Sequence, residues 1–154
     1  TEHGIGSYEE LLDRCEAASA SVARLKADLR DTGAKIDELA LKMKHVSTYR
    51  QLKPIYNRYK ASRDKEKFLR GHESEIILFE AAARELKRLG AVPLPTTESM
   101  KKELANLTAE KERLLAEYKA ARTEAQEYDT VKQNVDALLT VPKEQEQQRR
   151  HELE

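Results

Sequence analysis

The chain has 154 residues, of which 36% are charged and 39% hydrophobic, and its formal net charge is zero. This length suits one domain, and the high charged fraction is typical of long solvated helices rather than of a globular enzyme. The chain contains no Trp, only five Gly and only four Pro, so we expect few turns and therefore a small number of long helices.

The first predicted helix runs from about Tyr8 to about Val46. Ser7 and Glu10 form a capping-box pattern at its start. Apolar residues then recur every three or four positions, which places them on one face of a helix. This first apolar stripe comprises Leu12, Cys15, Ser19, Val22, Leu25, Leu29, Thr32, Ile36, Leu39, Met43 and Val46. Gly33 lies inside the helix and indicates a kink or a close contact with another helix.

The middle of the chain is predicted to form a small helical head over about 48–90. Ser47-Thr48 interrupts the pattern, and Pro54 disfavours helical geometry at the residue before it, so we expect a short helix over about 54–61. Ser62 or Asp64 is expected to cap the next helix, which ends near Leu89. Its apolar face comprises Phe68, His72, Ile76, Phe79, Ala83 and Leu86. The apolar run 76–79 widens this face, so we expect it to be covered on more than one side.

The last predicted helix runs over about 97–139, after an extended connector rich in proline and a cap at Thr96 or Thr97. Its apolar stripe comprises Met100, Leu104, Leu107, Lys111, Leu114, Tyr118, Ala121, Ala125, Tyr128, Val131, Val135 and Leu138. Pro142 is expected to end the helix, and 143–154 to be a disordered tail that finishes in a cloning scar. Because the chain starts with Thr1, we expect it to be a piece of a longer protein.

The two long stripes predict the fold class. A lone helix with an apolar stripe leaves that stripe in water, so two of similar length are expected to cover each other. We therefore predict an all-α fold, in which a long antiparallel, coiled-coil-like hairpin carries the small helical head between its two long helices. The hairpin and head would form one elongated domain over 1–142.

No catalytic, metal or cofactor site is expected from the sequence. The four histidines lie too far apart in the sequence to form a metal-binding motif: His3, His45, His72 and His151. His72, on an apolar face, is interpreted as a structural residue, and Cys15 as a small hydrophobic residue of the first stripe. There is no glycine-rich phosphate loop and no nucleophile elbow. With no membrane-spanning run or signal peptide either, we expect a cytoplasmic protein that is not an enzyme.

One segment has a composition that points to a function. Between Arg50 and Arg70 there are eight basic residues and only two acidic ones. Clustered Lys and Arg bind phosphates, and exposed Tyr rings stack on unpaired bases. The candidate DNA-binding residues are therefore Arg50, Lys53, Arg58, Lys60, Arg63, Lys65, Lys67 and Arg70, with Tyr56 and Tyr59. In the alternative interpretation, the two tyrosines pack inside the head and the cations only solvate it.

Several segments resemble the C-terminal helical region of relaxases, the mobilisation nucleases of bacterial conjugative and integrative elements. They are Tyr56-Asn57-Arg58-Tyr59-Lys60, Lys67-Phe68, the stretch from His72 to Ala82, Leu94-Pro95, Met100-Lys101-Lys102-Glu103-Leu104, Ala109-Glu110-Lys111 and Tyr118-Lys119. The likeness extends from about Tyr8 to Leu139. Relaxases nick one DNA strand with a tyrosine nucleophile and a metal held by histidines. That histidine cluster is absent here, so the resemblance implies an accessory region and gives no tyrosine of this chain a catalytic role.

The functional prediction is therefore a non-catalytic accessory domain of a DNA-mobilisation protein that contacts DNA or other transfer proteins. A coiled-coil oligomerisation or scaffold module, for instance a homodimer with no nucleic-acid contact, is the alternative. The two differ in whether the apolar stripes pair within one chain or between chains.

Overall fold

The computed structural model describes the backbone of residues 6–153 and the side chains of residues 6–140. Over this range the fold is all-α and contains no strand. Its three helices are α1 (Tyr8–Ala61), α2 (Lys65–Arg88) and α3 (Thr97–Leu153). The predicted all-α class is confirmed.

The chain divides into two compact units. Unit 1 comprises Thr1–Arg30 and Lys111–Glu154, and unit 2 comprises Asp31–Glu110. The predicted head, 48–90, lies inside unit 2. The single elongated domain over 1–142 stays a prediction.

In unit 1, the start of α1 packs against the later part of α3. The Tyr8 hydroxyl donates a hydrogen bond of 2.6 Å to Asp136, and the Cys15 thiol lies 3.5 Å from the carbonyl oxygen of Tyr128. Later residues of α1 thus meet earlier residues of α3, as in two helices that run in opposite directions. The buried core residues here are Leu11, Ala18 and Tyr128.

Two early positions of the predicted first stripe are displaced by one residue, whereas the predicted Cys15 and Val22 are half-buried. Leu11 and Ala18 are buried, whereas the predicted Leu12 and Ser19 are exposed. From Leu25 onward the predicted positions alternate between buried and half-buried, as expected. The shift has a physical reason: a leucine pair offers two adjacent faces, and only the partner helix decides which of them is covered.

In unit 2, the core joins all three helices. It comprises Leu39, Val46, Leu86, Ala91 and Met100, with Met43, Tyr49, Leu94, Leu104 and Leu107 packed against them. Gly33 lies in this unit as an ordinary helical residue. A Cβ built on it would meet no atom within 4 Å, so the close contact, one of the two expected alternatives, is absent.

The end of α1 was predicted wrongly, because the helix continues past Val46 and through Pro54. A proline inside a helix loses one backbone hydrogen bond and costs about 3 kcal/mol. Packing on both sides of the proline opposes this loss. Tyr49 precedes it and Tyr56 follows it, and both rings lie against Phe79, with centroids 4.7 and 4.3 Å away.

The end of α3 also differs from the prediction. The helix runs to Leu153, past Pro142, so the stretch expected to be a disordered tail is helical up to that residue. A single proline removes one hydrogen bond of the ladder, and the bonds before and after it can continue the helix with a bend. The side chains of 141–154, and the whole of Glu154 in the proposed cloning scar, lie outside the described residues, as do residues 1–5.

The helix starts follow the predicted capping residues. The Ser7 hydroxyl accepts a hydrogen bond from the Glu10 backbone N–H (3.1 Å), although the Glu10 carboxylate bonds the N–H of Gly6 rather than that of Ser7. Asp64 caps α2, and Thr96 caps α3 by accepting from the backbone N–H of Ser99 at 3.0 Å. Each cap satisfies a backbone donor that the first turn leaves without a helical partner.

Two features of α2 were not predicted. His72 has a non-helical backbone (φ −136°, ψ 24°), so the helix is kinked there. Ile77 and Leu78 are each 56% exposed, which contradicts the expectation that the apolar run 76–79 is covered on more than one side. Only Ile76 and Phe79 of this run are buried, because α2 packs against the rest of unit 2 along a single stripe of its surface.

Candidate nucleic-acid interface

The ten predicted site residues lie in unit 2, on the last turns of α1, the connecting turn 62–64 and the first turns of α2. The turn is short and held by its own side chains. The Ser62 hydroxyl donates to the Asp64 carbonyl oxygen at 3.1 Å, and the Asp64 carboxylate accepts from the Lys67 backbone N–H at 3.1 Å. Asp64, one of the two acidic residues of the segment, is thus occupied as a helix cap.

The tyrosines of the segment belong to a cluster of aromatic rings. Tyr56 is stacked on Phe79, with a centroid distance of 4.3 Å. Tyr59 lies 6.1 Å from Tyr56 and 6.2 Å from Phe68. Both tyrosines are half-buried. We call Tyr49, Tyr56, Tyr59, Phe68 and Phe79 the aromatic cluster.

Three of the cations lie over rings of this cluster. The Lys53 ammonium is 5.0 Å from the centroid of Tyr49, to whose hydroxyl it also donates a hydrogen bond of 2.9 Å. The Arg58 guanidinium is 5.6 Å from the centroid of Phe68, and the Lys60 ammonium 5.4 Å from that of Tyr56. At exposed positions such a contact stabilises by about 0.5–1 kcal/mol. Arg58 and Lys60 also lie in the last turn of α1, where the helix dipole favours positive charge.

Arg50 connects α1 to the start of α3 and to the connector before it. Its guanidinium donates to the Thr97 hydroxyl at 2.9 Å and to the Pro95 carbonyl oxygen at 2.6 Å. Two charge-assisted bonds to fixed partners hold this side chain in one orientation. Arg50 therefore has a structural role in unit 2.

The remaining cations are differently placed. Arg63, Lys65 and Lys67 are exposed, and their side chains make no hydrogen bond or ion pair with any residue that the structure describes. The Arg70 Nε lies 3.4 Å from the Glu66 carbonyl oxygen, a long and weak hydrogen bond. We call these four residues the open cations. They occupy one corner of unit 2, around the turn between α1 and α2.

His72 was predicted as a packed structural residue, and the structure adds detail that no sequence pattern indicates. Its ring is stacked on Phe68, with centroids 4.5 Å apart. Its buried Nδ1 has no hydrogen bond within the described chain and lies 3.5 Å from the Glu75 carboxylate.

Among the described residues of unit 1, two open clefts lie beside small side chains. One, of about 160 Å³, is lined by Arg14, Ala17, Ala18, Ser21, Ala121, Glu124 and Tyr128. The other, of about 290 Å³, is lined by Cys15, Ser19, Val22, Arg122, Ala125, Gln126 and Asp129.

Hydrogen bonding to Tyr128, and then to Glu10, raises the pKa of Arg14, and a hydrogen bond from the backbone N–H of Gly6 lowers the pKa of Glu10. These shifts favour the charged forms that the side chains already have at neutral pH.

Within the described residues, no group of three or more His, Cys, Asp or Glu side chains is placed to hold a metal ion. The described helices also include none with the length and apolarity that a membrane crossing requires.

Comparison with known proteins adds no family to this description. No family model matches the chain, and neither does any curated protein or solved structure.

Proposed function

We propose that the chain is a non-catalytic accessory domain of a DNA-mobilisation protein of the relaxase type, and that it contacts DNA through the open cations. The observation that supports this most directly is the placement of Arg63, Lys65 and Lys67. All three are exposed, and their side chains have no partner among the described residues. The resemblance of the surrounding segments to relaxase C-terminal regions indicates the class of parent protein.

Charge makes this corner suited to phosphates. Three side chains without internal ion pairs are available to phosphates, and each phosphate that such a cation neutralises releases a counterion condensed on the DNA. Asp64 and Glu66 are the only acidic residues between Arg50 and Arg70. The corner therefore keeps a local positive excess although the whole chain has a net charge of zero.

The finer architecture belongs to the same proposal. We propose that α1 and α3 form a long antiparallel, coiled-coil-like hairpin that presents the region around α2 as a head. The order of contacts in unit 1, where Tyr8 meets Asp136 and Cys15 meets Tyr128, supports opposite helix directions there. An accessory role on DNA agrees with a cytoplasmic location and with further contacts to transfer proteins.

A DNA titration tests the function. Fluorescence anisotropy of labelled DNA at about 50 mM salt is expected to show binding by the unmodified chain. The variant Arg63→Glu/Lys65→Glu/Lys67→Glu is expected to bind about 100-fold more weakly or worse, because three phosphate contacts become repulsive. Arg58 is left unchanged, since its place over Phe68 would confuse a loss of binding with a loss of packing.

A matched control uses three other lysines of unit 2. Lys44, Lys101 and Lys102 are also exposed, and the variant with Glu at all three changes the net charge by the same amount. It is expected to bind within a few-fold of the unmodified chain. Equal loss in both variants would show that only total charge matters, and no binding by the unmodified chain would refute DNA contact.

One observation favours the alternative, an oligomerisation or scaffold module. Ile77 and Leu78 are adjacent, and each is 56% exposed, which is a surface that self-association would cover. Light scattering over a concentration series separates the two functions. A mass near 17.6 kDa at all concentrations excludes a stable dimer. A larger mass that Ile77→Ser/Leu78→Ser returns to the monomer value would support the scaffold function.

A further inference from the structure

The aromatic rings of unit 2 are all engaged with one another. Every Tyr and Phe of this unit belongs to the aromatic cluster, and each ring is buried or half-buried. Each has another ring of the cluster within 4.3–6.2 Å. The chain has no Trp. The sequence interpretation, in which Tyr56 and Tyr59 stack on unpaired bases, would require these ring contacts to be broken first.

The cations over the aromatic cluster also oppose the stacking of a base on its rings. Lys53, Arg58 and Lys60 lie 5.0–5.6 Å from the centroids of Tyr49, Phe68 and Tyr56. A base that entered between a cation and its ring would displace an existing favourable contact. Proteins that bind single strands depend on stacking of about 1–3 kcal/mol per base onto aromatic faces that are open. The rings at the corner of unit 2 are buried or half-buried and already contact one another, so charge is the feature that this corner offers to a ligand.

We propose that the open cations bind the phosphate backbone of double-stranded DNA, without base stacking and without preference for base sequence. This inference rests on the proposed function and specifies its substrate. A surface that recognises charge alone favours the polymer with more charge per unit length, and duplex DNA carries one charge per roughly 1.7 Å of its axis. Arg63, Lys65, Lys67 and Arg70 supply the contacts.

The salt dependence of binding follows from the number of contacts. With four cations on phosphates, the slope of log K against log salt is about −3.6 for duplex and about −2.8 for a single strand. If the affinities for duplex and single-stranded DNA become equal at 1 M salt, the duplex binds about tenfold more tightly than the single strand at 50 mM. Stacking would add affinity for the single strand that does not depend on salt, and it would reverse this order.

The experiment compares a labelled 24-base-pair duplex with its separate 24-nucleotide strands, in two unrelated sequences, from 25 to 200 mM NaCl. We expect tighter binding to both duplexes, with equal affinity for the two sequences. Tyr59→Leu, checked by circular dichroism for its helix content, is expected to leave duplex binding within twofold. The chain has no Trp, so its fluorescence reports on tyrosine alone. Because the bases do not stack on the rings, this fluorescence is expected to stay unquenched when the single strands are added.

The possible failures are distinguishable. Tighter binding to the single strands, or quenching of tyrosine fluorescence by them, would overturn the duplex inference and leave DNA contact intact. A difference above tenfold between the two duplex sequences would also overturn it. Binding to none of the probes at 25 mM salt would overturn the proposed function together with the inference.

Discussion

Gly90 terminates α2 in a backbone conformation that other residues rarely adopt. Its φ is +71°, in the left-handed region. Its N–H donates to the Lys87 carbonyl oxygen at 3.2 Å, and the Ala91 N–H donates to the Leu86 carbonyl oxygen at 2.9 Å. These two bonds form a Schellman motif, in which glycine is favoured because it has no Cβ. We predict that Gly90→Ala destabilises the protein.

The structure allows the size of this effect to be worked out. A Cβ on Gly90 would meet no atom within 4 Å, so the whole cost lies in the backbone conformation. The left-handed conformation costs about 1–2 kcal/mol in a residue with a Cβ. Alanine also restricts the unfolded chain, which offsets about 0.4–1 kcal/mol. The expected net loss is therefore about 1 kcal/mol, which lowers the melting temperature by roughly 2–8 °C.

Gly33→Ala is a matched control for this prediction. Gly33 lies in the same unit, and a Cβ added there would likewise meet no atom within 4 Å, but this glycine is inside α1 and has no positive φ. The same substitution is expected to stabilise the protein by about 0.5–1 kcal/mol. Both variants are measured by urea unfolding followed by circular dichroism. An unchanged or higher midpoint for Gly90→Ala would refute the reasoning, as would destabilisation of similar size in both variants.

Three further substitutions test other parts of the structure. Leu86→Ala, at a side chain only 1% exposed, is expected to lose about 2–5 kcal/mol in urea unfolding, whereas Leu78→Ala at 56% exposure should stay within about 0.5 kcal/mol; equal effects would contradict the assigned burial. Arg50→Ala is expected to lose about 1–2 kcal/mol because its hydrogen bonds to Thr97 and Pro95 disappear, and an unchanged unfolding midpoint would argue against them. The hydrogen bond to Asp136 raises the pKa of Tyr8, so its stabilising effect is present below the ordinary tyrosine pKa of about 10 and is lost as the pH rises through the raised pKa. The difference in unfolding midpoint between the unmodified chain and Tyr8→Phe should therefore disappear only above pH 10, and a difference that disappears near pH 5 would contradict this assignment.

The candidate site shows how far residue type alone predicts function. The sequence shows that basic residues cluster between Arg50 and Arg70, because charge is a property of each side chain. It does not show which of them are open to a ligand. Arg50 is held by Thr97 and Pro95, from a part of the chain more than forty residues away. Such a contact depends on how the chain folds back, and no local pattern indicates it.

The sequence alone determined the helical class and the capped starts of the three helices, because these depend on neighbours in the chain. Asp64 and Thr96 cap helices through groups three residues away, and Gly90 ends one through its own backbone freedom. Tertiary structure decided the features that depend on distant packing. It carried α1 through Pro54, because rings on both sides of the proline pack on Phe79 of α2. A prediction from local sequence fails where a contact between residues distant in the chain stabilises the fold by more than it costs to violate the local preference.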